Sequence, residues 1–213
     1  MIESLLNYSD TYGSFFPLIA LIIYKNKVAK EVFILLWYFI ISILIFGYSN
    51  YLADKRINNL FLYHIFSILE LTLLLAYFKE IIESTLVKKI TTWIIFGFLI
   101  FSFLNVLFLE KINSLNSNSQ SLEFLLLIVF CFIYYRELAN SEEVIIFYSK
   151  STFWIVTGFF IYFSCTLIVF SLYKYTGKQN QSFISNFWIF QEIMYLVKNL
   201  FITYGILCFK KTK

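Results

Sequence analysis

Four ionisable side chains stand inside apolar runs of this sequence, and their spacing pairs them. His64 precedes Glu70 by six residues, and Glu192 precedes Lys198 by six. Six residues of α-helix rise about 9 Å. Ionisable groups inside hydrocarbon are costly unless paired or hydrated, so they mark either a site or an interhelical lock. Glu70 is the eleventh of nineteen residues in the run 60–78, and Lys198 the thirteenth of twenty-four in the run 186–209. Matching depth predicts a Glu70–Lys198 ion pair near mid-span, with His64 facing Glu192 one layer further out. Glu123 and Gln191 add polar groups on the same outer side. Gln191, Tyr195 and Lys198 share one helical face, and Asn199 follows Glu192 by seven residues. The candidate ligand pocket is therefore His64, Glu70, Glu123, Gln191, Glu192, Tyr195, Lys198 and Asn199.

Other chemistries fare worse. A mid-span lysine in the last run invites a retinal Schiff base on Lys198 with Glu70 as counter-ion. Microbial rhodopsins carry an Asp four residues before that lysine, where this chain has Met194, and the only Pro is Pro17. No cofactor is expected. Polyhistidine metal sites are excluded by the single His, and no Gly-x-Ser-x-Gly elbow or phosphate loop is present. His64 and Ser67 stand three residues apart but lack a third, orienting group. No catalytic or metal-binding residue is assigned. Cys131, Cys165 and Cys208 sit in apolar runs and read as small hydrophobes.

The elements that must position these residues follow from composition. The 213 residues are 60% hydrophobic and 14% charged, with a mean hydropathy of +0.77. A soluble domain is about 45–50% apolar and about 25% charged, so part of this apolar surface must face lipid. A membrane helix needs about 20 apolar residues. Runs at 32–52, 60–78, 90–109, 121–138, 152–173 and 186–209 qualify, and a shorter one reaches back from Tyr24 to about Tyr8, with Pro17 in its outer half. The expected fold is all-α: a single membrane domain, a seven-transmembrane-helix bundle, with only the segments 110–120 and 174–185 as longer connections. With the N-terminus outside, eleven basic residues fall in inner segments and five in outer ones. That asymmetry obeys the positive-inside rule and puts the C-terminus in the cytoplasm. Trp37, Trp93, Trp154 and Trp188 read as interfacial anchors. A net charge of +4 spread in short clusters between apolar runs argues against a nucleic-acid partner. The first thirteen residues, with Glu3 and Asp10, do not read as a cleavable signal peptide. No internal duplication supports a transporter-type inverted repeat.

The run Asn59-Leu60-Phe61-Leu62-Tyr63-His64 with Glu70 following, Phe153-Trp154-Ile155-Val156 with Tyr162-Phe163-Ser164, and Val197-Lys198-Asn199-Leu200 resemble a family of small uncharacterised seven-helix bacterial inner-membrane proteins. The resemblance implies a sensor module working beside separate signalling proteins, with His64, Glu70, Lys198 and Asn199 in its recurring pattern. Residues and resemblance together predict a receptor-like protein of the bacterial inner membrane. An outward polar pocket would take a small ligand, and a cytoplasmic signalling partner would read the helices. The alternative is a proton-coupled carrier or channel for a small solute.

Overall fold

Long apolar runs with one Pro and six Gly in the whole chain leave the backbone little choice but helix. The computed structural model describes residues 8–24, 29–140, 147–148, 150–176 and 181–208. Among them are seven α-helices: α1 Ser9–Tyr24, α2 Phe33–Asp54, α3 Phe61–Ile81, α4 Thr85–Phe108, α5 Ser117–Asn140, α6 Ser151–Thr176 and α7 Gln181–Cys208. A 3-10 turn, Lys30–Val32, leads into α2. Four helices are long and apolar enough to cross a membrane: α2, α3, α4 and the Ser151–Ser171 portion of α6. With 16 residues, α1 is shorter than those four, and α5 and α7 carry the polar groups described below. Lys25, Lys27, Lys178, Lys210, Lys211 and Lys213, all used to orient the chain, lie outside the described residues, as do Glu3 and Phe209.

Helix ends depart from the hydropathy boundaries where side chains cap them. α4 starts at Thr85 because Ser84 accepts the Val87 N–H at 3.4 Å. Glu137 of α5 also accepts the N–H groups of Glu83 (2.8 Å) and Ser84 (3.1 Å). α5 starts at Ser117 because Glu110 accepts the Asn118 N–H at 3.0 Å and the Ser117 hydroxyl. Orphan N–H groups of a first helical turn need such acceptors.

Six helices close a ring in the order α1, α2, α3, α5, α6, α7, and α7 returns to α1. α4 packs outside it, against α3 and lightly against α5. Its outer face is apolar, with Trp93 70% and Phe108 76% exposed. An apolar face this long is foreign to water-facing surfaces. The ring is filled mainly by aromatic side chains, including Tyr38, Phe66, Phe159, Tyr162, Phe163 and Tyr195. Glycine sets its tightest seam. A Cβ on Gly158 of α6 would lie 2.8 Å from Phe201 Cβ and 2.9 Å from the Lys198 carbonyl oxygen. A Cβ on Gly205 would lie 2.9 Å from the Ser151 carbonyl oxygen. Small residues let α6 and α7 approach backbone to backbone, and this contact fixes the stretch of α7 that carries Lys198.

Candidate functional site

Lys198 is fully buried, and side chains from four other helices surround its head. Its Nζ donates to the Tyr38 hydroxyl of α2 at 2.6 Å, and Tyr38 donates to Glu70 Oε1 of α3 at 2.8 Å. The direct Nζ–Oε1 distance is 3.9 Å. The expected ion pair is present at the outer limit of an ion-pair contact, bridged by a phenol. The ammonium also lies 3.7 Å from the Tyr195 ring centroid, 4.3 Å from that of Tyr162 and 5.2 Å from that of Tyr38. Cation–π contacts strengthen as water is excluded, and here they stand in for hydration. Burying two ions is repaid only by this kind of close, hydrogen-bonded geometry.

Glu123 joins the same layer, beside Lys198, Glu70 and Ser67. Hydropathy placed Glu123 in the outer part of its span. It lies deeper because α5 begins four residues before the apolar run. Neither Glu123 oxygen has a partner at full hydrogen-bond distance and angle.

The layer at the α1 N-terminus differs from expectation. His64 does not face Glu192: its Nε2 lies 3.1 Å from the Ser114 carbonyl oxygen, in the connection between α4 and α5. Glu192 instead caps α1, accepting the Asp10 N–H at 3.0 Å and the Ser9 hydroxyl through Oε2. A carboxylate at a helix N-terminus satisfies orphan donors and meets the positive end of the dipole. Asp10 Oδ1 in turn accepts from Asn50 Nδ2 at 3.2 Å. The Tyr195 hydroxyl pairs with Ser14 of α1 at 3.0 Å, so one tyrosine touches both layers. Asn199 is fully buried against Gly13, whose Cβ would come 3.1 Å from its Nδ2, and neither amide atom makes a hydrogen bond.

A cavity of about 520 Å³ opens at this end between α1, α2, α3 and α7. Asp54, Glu192, Asn50, Asn58 and Asn59 line it, with the rings of Tyr8, Tyr63 and Trp188. Trp188, expected as an interfacial anchor, is part of the wall, its ring centroid 6.0 Å from that of Tyr63. The Tyr8 hydroxyl donates to both oxygens of Asp54, at 3.0 and 3.1 Å. Below lies a constriction of about 20 Å³ lined by Asp10, Gln191, Glu192 and Tyr195. Tyr63, Trp188 and Glu192 border both spaces, and Tyr195 carries the sequence of contacts on to Lys198. A third cavity, about 290 Å³, lies at the opposite end beside Glu31, Glu80, Glu83 and Glu137.

The structure thus brings Glu70, Glu123, Tyr195 and Lys198 into one cluster, and Gln191 and Glu192 into the approach above it. His64 and Asn199 stand apart. Tyr38 and Tyr162 belong to the cluster and carry no signal in a chain with 16 Tyr and 27 Phe. Among the described residues, no three His, Cys, Asp or Glu side chains converge as a metal set would. No protein-family model matches the chain, and neither does any curated protein or solved structure.

Proposed function

We propose that the chain is a seven-span protein of a bacterial inner membrane, N-terminus outside and C-terminus cytoplasmic, that works as a receptor-like sensor. A small ligand enters the 520 Å³ cavity, and a separate cytoplasmic partner reads the resulting shift of the helices. One observation carries this reading: Glu192 of the cavity wall and Tyr195 line one constriction, and Tyr195 packs on Lys198, where five helices meet. A group bound above Tyr195 changes what that tyrosine packs on, and Tyr195 is one face of the lysine's cage.

The lining favours a small organic cation. Among the described residues it offers two carboxylates and no basic side chain, with three aromatic rings to receive a positive charge. Every hydrogen bond to the Glu192 carboxylate from a described residue ends on Oε2. Amide groups of Asn50, Asn58 and Asn59 supply the directional contacts such pockets use.

The second reading, a proton-coupled carrier, draws support from Glu70 and Glu123 together beside Lys198, as in intramembrane proton relays. Purified protein separates the two. A panel of primary and quaternary amines is screened by thermal shift, where a ligand at a hundred times its Kd stabilises by about 2.7 kcal/mol. The hit is then tested for uptake into proteoliposomes. Saturable stabilisation, lost in Asp54→Asn and Trp188→Ala and unaccompanied by flux, supports the sensor. Uptake driven by a pH gradient supports the carrier. No stabilisation by any amine removes the ligand class.

A further inference from the structure

Glu70 and Lys198 set one negative charge against one positive in the core, and Glu123 adds a second carboxyl in the same layer. Glu123 is 0% exposed, and neither of its oxygens has a partner at full hydrogen-bond distance and angle, although the Ser67 hydroxyl and the Glu70 carboxyl stand beside it. Two more buried oxygens share that condition. Ser67 Oγ, 1% exposed, faces Glu123 from α3. Gln120 Oε1, 4% exposed, stands one helical turn before Glu123 on α5. Ser67 and Glu70 are likewise one turn apart on α3, and α3 packs directly on α5. The result is a group of oxygens cut off from solvent, in which two carboxyls share one ammonium.

We propose that Ser67, Gln120 and Glu123 form a site for one monovalent cation, a sodium ion held by these oxygens or a proton carried on Glu123. Charge sets the valence. The Lys198 ammonium is engaged by Tyr38, Glu70 and three tyrosine rings, so one positive charge is still owed. A divalent ion would overshoot by one unit, and an all-oxygen donor set suits a hard cation. The charged and titratable groups that face Glu123 are Glu70 of α3, Lys198 of α7 and Tyr162 of α6. α4 brings the neutral Asn105, which bonds Ser119 at the start of α5. The site is distinct from the cavity at the α1 N-terminus and stands whether or not a ligand binds there.

Purified full-length protein is compared in NaCl, KCl and choline chloride at equal ionic strength, reading Tm. Infrared spectra of the same samples, in ordinary and heavy water, read the protonated-carboxyl C=O stretch. A bound sodium ion gives a saturable rise in Tm with NaCl alone. Gln120→Leu then raises the half-saturating concentration about tenfold or more, the usual scale for losing a supporting ligand. A bound proton gives no sodium preference but a carboxylic C=O band that shifts in heavy water. That band moves in Ser67→Ala and disappears in Glu123→Gln. Either pattern upholds the site. If wild-type protein shows neither a sodium-specific Tm shift nor a carboxylic band, only water fills the space, and the proposal falls. A band unmoved by Ser67→Ala, with no sodium effect, belongs to another carboxyl and also overturns it. Both wild-type measurements and Ser67→Ala serve if Glu123→Gln does not fold.

Discussion

Lys198 makes its case through what must happen when it is removed. Taking one partner from a buried ion pair costs about 3–5 kcal/mol, whereas replacing both is often tolerated. Lys198→Met should therefore destabilise the protein strongly, and Glu70→Leu with Lys198→Met should recover much of the loss. The bridge through Tyr38 adds a finer expectation. Tyr38→Phe removes the acceptor 2.6 Å from the ammonium and the donor 2.8 Å from the carboxylate. Hydrogen bonds to charged groups contribute about 1.5–3 kcal/mol each, so Tyr38→Phe should cost a few kcal/mol, read from denaturant unfolding in detergent. A double-mutant cycle over Glu70 and Lys198 measures their coupling, and strictly additive effects would mean the charges do not sense each other. At this scale the pair itself was legible, because depth along two parallel helices is arithmetic on the sequence. Its phenol was not, since nothing marks Tyr38 among so many aromatic residues. The His64–Glu192 pairing failed for a related reason. Depth alone ignores rotation about the helix axis, and Glu192 faces the free N–H groups of α1.

Among the elements, the α6–α7 seam positions the site most directly. Gly158→Leu would drive a side chain into Phe201 and the Lys198 carbonyl. Overpacking of this kind costs about 1–3 kcal/mol or more. It should lower Tm, and by moving α7 it should also weaken the Glu70–Lys198 coupling. Gly97 of α4 is the control, because its Cβ would meet nothing within 4 Å. Gly97→Ala should be neutral or stabilising by up to about 1 kcal/mol, the helix-propensity difference. Glu192→Ala should fray the first turn of α1 at about 1 kcal/mol, the usual value of a cap, seen as faster amide exchange near Thr11. The seven helices were visible as apolar runs. The starts of α4, α5 and α7 were not: hydropathy stops where apolar residues stop, whereas the helix runs on through a polar turn. For α4 and α5 an acidic side chain caps that turn.

For the molecule as a whole, the face of α4 and the closed ring of six helices fit a protein surrounded by lipid, and the receptor reading requires that the larger cavity face outward. Retinal should give no visible absorbance band on addition, because the Lys198 amine is enclosed by three tyrosine rings and lines none of the described cavities. A band abolished by Lys198→Ala would overturn this. The most direct test of the central claim is labelling of single cysteines in intact cells with a membrane-impermeant maleimide, after Cys131, Cys165 and Cys208 are replaced by Ser. Asn58→Cys reports the wall of the 520 Å³ cavity, and Glu80→Cys reports the acidic cavity at the opposite end. Asn58→Cys should label in intact cells, and Glu80→Cys only after permeabilisation. The reverse pattern would turn the cavity toward the cytoplasm and contradict an outward-facing receptor.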